Sequence, residues 1–590
     1  MTLHRTRPPV GTRFHAIVAA VAAMSVIGGC NLTEPTPFDP RAMQRPGVLA
    51  AAGAKDLPKP PLPTTLESPF LESRDANGQR RATSKPSIDV NTGPALGTDP
   101  TVRMSLQEIL QRTVANNGEI RVAGYTPAID QARVIEAEAR FDPTVFFNTN
   151  YDRRELKSVI NVANDQVTTY SVNGGVRQLL PSGGQIEVRY ETALIDRAEP
   201  APSTFTPGDS DPSYQNQLVM QLQQPLLRDF GNEVNRARIE INRRNQQISL
   251  LEFRKQLEET LAETEQTYWQ LVQAEREVRI QENLLQRTID TAYILLNRGE
   301  QDVTRVQLSQ ANASVEQRRA ELIEARSRVR NLSDQLKRAM QDSTVPPSSP
   351  VVVLPAAPPV EVPVEFDRQE VIQQAYLNRL EIGQQQLRID NAEIASRVAK
   401  NNLLPQLNLQ LNGTLQGVGG RYSDVLNDQF YDWDNYSYTV ALAYEIPIGN
   451  RAARSIYQRA MLQRMQAIEQ YRSLLAQVDL EVSQAIRAVE TSYRQIGATR
   501  QSRFAAADAL ASIEKREEGG EPLTPTFVQL KLDRQEALAQ AARQEVAAIS
   551  AYNIAISRLE LAKGTLLRYN NIILEEEQMP FVNTMGYNGR

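Results

Sequence analysis

The chain has 590 residues, a formal net charge of −5 and 6% aromatic residues, with two histidines and one cysteine. The near balance of charge excludes a strong polyanion-binding surface, so no nucleic-acid partner is expected. His4, His15 and Cys30 all precede residue 31, so the remainder has nothing for a Cys/His zinc site, a thiol nucleophile or a histidine-based triad. Carboxylate-only chemistry is still open, but the carboxylates sit beside Arg and Lys on helix surfaces, where a solvated face is the simpler role. No catalytic residue, cofactor or metal is expected.

Arg5, Arg7 and Arg13 precede an apolar run from Phe14 to Ile27. That is the layout of a secretory signal, too short for a comfortable membrane span. The run ends Ile27-Gly28-Gly29-Cys30, similar to a bacterial lipobox; the alternative is an ordinary signal with an incidental cysteine. Residues 1–29 are therefore expected to be a signal peptide, with Cys30 the lipid-attachment residue. Several acyl chains there would hold the chain to membrane lipid durably. Asn31 follows, where an aspartate would resemble an inner-membrane retention signal, and this favours the outer membrane. Residues 31–100 hold 12 of the 34 prolines, so 30–104 is expected to be a flexible tether.

Beyond it the sequence speaks twice. Gln107-Glu108-Ile109-Leu110-Gln111 matches Gln369-Glu370-Val371-Ile372-Gln373, and at the same offset Asn116 meets Asn378 and Pro143 meets Pro405. Each half runs helix, proline, β segments, proline, glycine, long helix, turn and returning helix. An internal repeat is expected, with a first unit at 105–341, a proline-rich linker or equatorial region at 342–366, a second unit at 367–568 and a tail at 569–590.

In the first unit the opening helix is predicted over about 105–140, broken near Asn117-Gly118 and again at Tyr125-Thr126-Pro127, because the residue before proline resists the α region. Asn232 to Asn297 contains neither proline nor glycine and reaches roughly 100 Å as a helix. Its apolar residues, among them Leu250, Phe253, Leu257, Leu261, Tyr268, Leu271 and Val278, recur in steps of 3, 4 or 7, the seam of a coiled coil. Arg298-Gly299-Glu300 turns the chain and 303–340 returns. The second unit repeats this with 367–402, 450–517 and 526–567; Gly497 is the weak point of its long helix, and Glu518-Gly519-Gly520-Glu521-Pro522 its turn.

The β segments alternate with period two. Gln406 to Asn412 alternates without fault. Tyr436, Tyr438, Val440, Leu442 and Tyr444 share one face, with Ser437, Thr439, Ala441 and Ala443 on the other. Leu218, Met220 and Leu222 oppose Gln217, Gln221 and Gln223. Such strands suit a soluble sandwich or a membrane barrel. They are few and far apart, so one chain cannot close a sheet, and a sheet in lipid must close. Tyr431, Trp433, Tyr436 and Tyr438 suit an interfacial belt. Val176 to Tyr190 forms an additional hairpin that either widens the barrel or covers its mouth. Gly183-Gly184 and Gly417 to Gly420 open no helix with a P-loop lysine and are turns.

Three joints carry a resemblance: Ala375-Tyr376-Leu377-Asn378-Arg379-Leu380-Glu381-Ile382 in the opening helix, and Gln224-Pro225-Leu226-Leu227 and Glu445-Ile446-Pro447-Ile448-Gly449 between strand and helix. In this order around paired long helices, from about Ser105 to Leu567, the chain resembles the TolC-type outer-membrane efflux channels. The resemblance implies a mainly α fold with membrane β structure: long antiparallel coiled-coil hairpins forming a tunnel, and strands given to a shared trimeric β-barrel. It implies passive export across the outer membrane by a homotrimer served by a periplasmic adaptor and an inner-membrane pump. The family's plan is four strands per chain, so the additional hairpin departs from it.

The hairpin tips then meet the adaptor and form the aperture, through Arg298, Gly299, Arg305 and Val306 in the first unit and Gly519, Gly520, Phe527 and Val528 in the second. Where the family usually has an acidic residue before the valine, this chain has Arg305 and Phe527; Glu517, Glu518 and Glu521 are candidate replacements, or simply a solvated turn. The competing reading is a lipid-anchored coiled-coil scaffold without a pore. A soluble glycan-binding sandwich would need many strands and short helices, the reverse of what is found.

Overall fold

The computed structural model describes residues 100–156, 165–197, 213–298, 305–427, 429 and 435–572. The signal segment, Cys30, nearly all of the expected tether, Gly299, Tyr431, Trp433 and the end of the tail lie outside the described residues. In chain order the elements are β1 (Thr101–Met104), α1 (Leu106–Asn116), α2 (Gly118–Glu138), β2 (Thr144–Leu156), β3 (Asp165–Leu179), β4 (Gln185–Arg197), β5 (Ser213–Pro225), the single turn α3 (Asn232–Asn235), α4 (Ala237–Arg298) and α5 (Arg305–Met340). Then follow β6 (Val352–Pro355), α6 (Arg368–Asn378), α7 (Leu380–Asn401), β7 (Gln406–Gly419), the short α8 (Tyr422–Asn427), β8 (Tyr436–Glu445), α9 (Arg451–Glu518), α10 (Pro525–Lys563) and the single turn α11 (Leu566–Tyr569).

The two long helices organise the rest. With 62 and 68 residues, α4 and α9 extend roughly 90 and 100 Å at the helical rise. Toward the strands they alternate with the shorter helices in a row α2–α4–α7–α9; toward the turns the row is α5–α4–α10–α9. Leu257, Leu261, Tyr268, Leu271 and Val278 of the expected seam are all buried. Gly497 leaves α9 unbroken.

The opening helices of both halves of the chain differ from expectation. Asn117, at φ −60° and ψ 124°, does separate α1 from α2, and its side-chain oxygen caps α2 by accepting from Glu119 N (2.8 Å) and Ile120 N (3.1 Å). The break expected at Pro127 is absent. Pro127 is buried inside a continuous α2. A mid-helix proline costs about 3 kcal/mol, and the packing of α2 along α4 offsets it. Conversely, Arg379 breaks the second opening helix at φ −63° and ψ 119°, with no proline or glycine to announce it. Its guanidinium is held by Glu481 (2.7 Å) and Glu381 (3.2 Å). The last helix also stops sooner than 567: Gly564 takes φ +69°, and its position against Asn378 leaves no room for a Cβ.

The proline-rich segment runs as a strap against the helices. Thr101–Met104, at the end of the expected tether, pairs in parallel with Val352–Pro355, and both strands are largely buried beside Tyr268, Trp269 and Leu336. Farther along, helix side chains take over the strap's backbone hydrogen bonds. Tyr268 Oη accepts from Ala357 N (3.1 Å), Asn553 pairs with both backbone groups of Val360, and Tyr552 Oη accepts from Val364 N (3.2 Å) while donating to Val362 O (2.8 Å). A segment rich in proline cannot build its own ladder, so its polar groups must be met from outside.

Two predictions follow from this packing. Tyr552→Phe leaves a strap N–H and C=O without their partner, and should cost about 1–3 kcal/mol, measured as a lower denaturation midpoint; an unchanged midpoint would contradict the strap's role. Glu258 on α4 is buried near Glu381, and burial followed by that neighbouring charge raises its pKa to about 7 against the opposing pull of Arg379. A carboxyl raised in the folded state stabilises fully below its unfolded pKa and loses that contribution as pH rises to about 7. Glu258→Gln should therefore raise the thermal midpoint at pH 8 more than at pH 5; the opposite order would refute this assignment.

Candidate functional site: a two-faced sheet and paired helical tips

Six strands form one sheet in the order β2-β3-β4-β5-β7-β8, every neighbour antiparallel. Their lengths of 10 to 15 residues meet the about 9–11 that a tilted membrane strand needs. Register carries each face across the whole sheet, because directly paired residues point the same way. One row reads Val145, Val176, Val188, Met220, Gly413 and Tyr438; the adjacent row reads Thr144, Arg177, Glu187, Gln221, Asn412 and Thr439. The first face is apolar and exposed: Val145 is 78% accessible, Tyr438 78% and Val440 66%. On the second, Arg189 Nη1 contacts Glu187 at 3.1 Å and its Nε lies 3.8 Å from Glu191. Among the described residues the sheet ends on two edge strands, β2 and β8, each paired on one side only.

The strand-to-helix joints hold this sheet on the helices. Leu226 N and Arg228 N donate to Leu407 O (2.7 Å) and Pro405 O (3.2 Å). Asp229 and Gly231 then take positive φ before α3; Gly449 and Asn450 do so before α9. The glycines of both joints supply a left-handed conformation that side chains resist.

At the opposite end the two helical hairpins share one small core. Leu295 and Ala311 from the first hairpin pack with Ile513, Leu523, Phe527, Val528 and Leu532 from the second. Gln307 Nε2 donates to Leu523 O at 2.9 Å, and Arg287 pairs with Glu514 at 3.1 Å. Thr524 caps α10 by accepting from Phe527 N (3.3 Å), with Pro525 in the first turn.

No family model and no curated protein matches the sequence. Solved structures do match the fold. The outer membrane protein VceC of Vibrio cholerae is 16% identical with a TM-score of 0.55, over 78% of this chain and 96% of its own. The Campylobacter jejuni outer membrane channel CmeC is 16% identical with a TM-score of 0.56, over 80% of this chain and 90% of its own. The open state of the Neisseria gonorrhoeae outer membrane channel MtrE is 17% identical with a TM-score of 0.56, over 82% and 98%. This chain has the outer-membrane channel fold.

Within that channel fold, the tip residues named from sequence separate into exposed and buried sets. Val306 is 73% accessible, and Gly519 and Gly520 are exposed. Phe527 and Val528 are buried in the shared core and present no surface. Arg298 ends α4 and Arg305 begins α5, with their side chains outside the described residues. Of the three acids, Glu517 pairs with the buried Lys531 at 2.5 Å, and Glu521 holds Arg516 through two bonds, one of 2.6 Å. That pairing holds the Arg516 guanidinium above its usual pKa, while its Cζ lies 5.7 Å from the centre of the Phe527 ring. Glu518 is the acid left exposed and outside these pairs. The sequence did not expose Lys531 as Glu517's partner: the two lie fourteen positions apart, and only the turn brings them together.

Proposed function

We propose that three copies of this chain form an outer-membrane export channel, a transport protein and not an enzyme. The observation that carries this reading is that sheet and helices are left open on the same two flanks. Strand β2 follows α2 and β8 precedes α9; α2 and α9 also end the helical row. These outer helices expose apolar side chains, Val122 and Ile129 on α2 and Leu462 and Met465 on α9. Flank against flank, copies satisfy the backbone edges and the apolar helix rows together. A barrel leaves no edge, and only a closed sheet suits lipid. The exposed apolar face then meets lipid and the polar face lines the lumen.

The TolC-type family plan supplies the number three, the internal duplication of units 105–341 and 367–568, and the coiled-coil tunnel. It also supplies the partners: a periplasmic adaptor at the tips and an inner-membrane pump that provides energy. On this reading Val306, Gly519 and Gly520 offer the contact surface, Arg298, Gly299 and Arg305 flank it, and Phe527 and Val528 brace it from beneath. Glu518 is the acid best placed for an aperture charge, since Glu517 and Glu521 are engaged. Cys30, freed by removal of residues 1–29, carries the acyl anchor, and 31–100 tethers it to the body at the outer membrane.

Purified protein added to a planar bilayer should give discrete ionic conductance steps, and its deletion should abolish export of a cargo. A complete lack of conductance, with export intact, would favour the poreless envelope scaffold.

A further inference from the structure

The hairpin β3–β4 is the feature that the four-strand plan leaves unassigned. We infer that it is part of the barrel wall, so that each copy contributes six staves and three copies enclose an eighteen-stranded lumen. This rests on the trimeric reading for the number of copies; the place of the hairpin in the wall is independent of that number.

The hairpin lies between β2 and β5, with a ladder along each side. Thr144–Leu156 pairs without interruption to Asp165–Arg177, and Gln185–Ile195 pairs to Ser213–Gln223. Both faces continue through it in phase, so Val176 and Val188 fall in the apolar row and Arg177 and Glu187 in the polar one. A flap over the mouth would share neither ladder nor phase. Close packing also fixes it sideways. A Cβ on Gly175 would lie 2.3 Å from Val188 O and 3.0 Å from the Phe146 ring, and the Arg177 guanidinium sits over that ring at 5.7 Å.

Its turn is fastened to the joints on both sides. Gln178 Nε2 donates to Phe141 O at 3.0 Å, at the entry to β2. Gly231 N donates to Ser182 O at 3.0 Å, at the exit from β5, and Ser182 Oγ donates to Gln224 Oε1 at 2.9 Å. Gly183 has φ +92°, and a Cβ there would approach Asp229 O to 2.3 Å. The hairpin is therefore built into the base of the sheet.

Strand direction also permits closure. Six strands alternating in direction leave β2 and β8 antiparallel, so one copy's β8 meets the next copy's β2 in the same sense as every other pair. An insertion of one strand would have spoiled this closure; an insertion of two preserves it. Barrel radius grows about linearly with strand number, so eighteen strands give a lumen about one and a half times as wide as twelve, with roughly twice the cross-section. Of the two added staves, β4 also brings Glu187, Arg189 and Glu191 to the lumen face. The exit suits cargo of larger cross-section than a four-strand plan admits.

Electron cryomicroscopy of the full-length assembly in detergent counts strands and copies separately. Six barrel strands per copy support the inference, whatever the number of copies; four per copy, with the hairpin outside the wall, overturn it. A copy number other than three would contradict the trimeric reading alone. Cysteine pairs in the intact membrane give the same answer without an image. Asn148→Cys with Asn173→Cys, and Glu191→Cys with Gln217→Cys, should each form a disulfide within one chain. Asn148→Cys with Gln217→Cys should not, and efficient bonding of that pair would mean β2 lies directly on β5, overturning the proposal.

Discussion

Six hydrogen-bonded strands leave, among the described residues, two edges open and an apolar face covered only near β5 and β7 by the short helix α8. The backbone groups along β2 and β8 need partners, and so do Val145, Tyr438, Val440 and Leu442 on the exposed face. In water such an edge templates aggregation; in lipid its unpaired groups each cost several kcal/mol. Both demands are met when copies of the chain join edge to edge and lipid covers the outside. On the proposed channel reading the remaining architecture permits this joining: α2 arrives at one edge, α9 leaves from the other, and the joints at Gly231 and Gly449 pass the chain from sheet to helix.

The helices answer a different demand. A narrow apolar stripe on a helix of roughly 90 Å buries nothing unless it has neighbours along its whole length. The chain supplies α2 and α7 at one end of α4, and α5 and α10 at the other. Where the two sets change over, the strap from Val345 to Val364 and the short β1–β6 pair fill the gap, with Tyr268, Tyr552 and Asn553 meeting the strap's backbone. At the turns the hairpins are tied by the core around Phe527 and by Gln307 reaching Leu523 O. One hairpin tip thus cannot move far without disturbing the other.

Much of this was legible in the residues because the signals were periodic. The helical stripe and the strand alternation each repeat over many positions, and the hairpin at 176–190 stood out by the same pattern, although its strands extend farther, to 165 and 197. What escaped was decided by tertiary contact. Pro127 is carried through by packing on α4, and Arg379 breaks a helix at a point where Glu381 and Glu481 hold its guanidinium. Thr101–Met104 becomes a strand only because Val352–Pro355 lies beside it, 251 positions along the chain. At the tips, acids that looked available in the sequence are occupied by Lys531 and Arg516, and Phe527, which looked like a contact residue, is core.

In the proposed channel the apolar face meets lipid while the opposite face meets water. Thr439 and Val440 are neighbours on β8 with opposite faces, so one charge moved by one position tests it. Assembly of each arginine variant in the outer membrane can be measured as the fraction of chain recovered as folded oligomer. Val440→Arg should lose folded oligomer, since a lipid-facing arginine near the midplane costs about 2–4 kcal/mol, whereas Thr439→Arg should assemble as the parent does. Equal tolerance at the two positions, or greater loss at Thr439, would contradict the account.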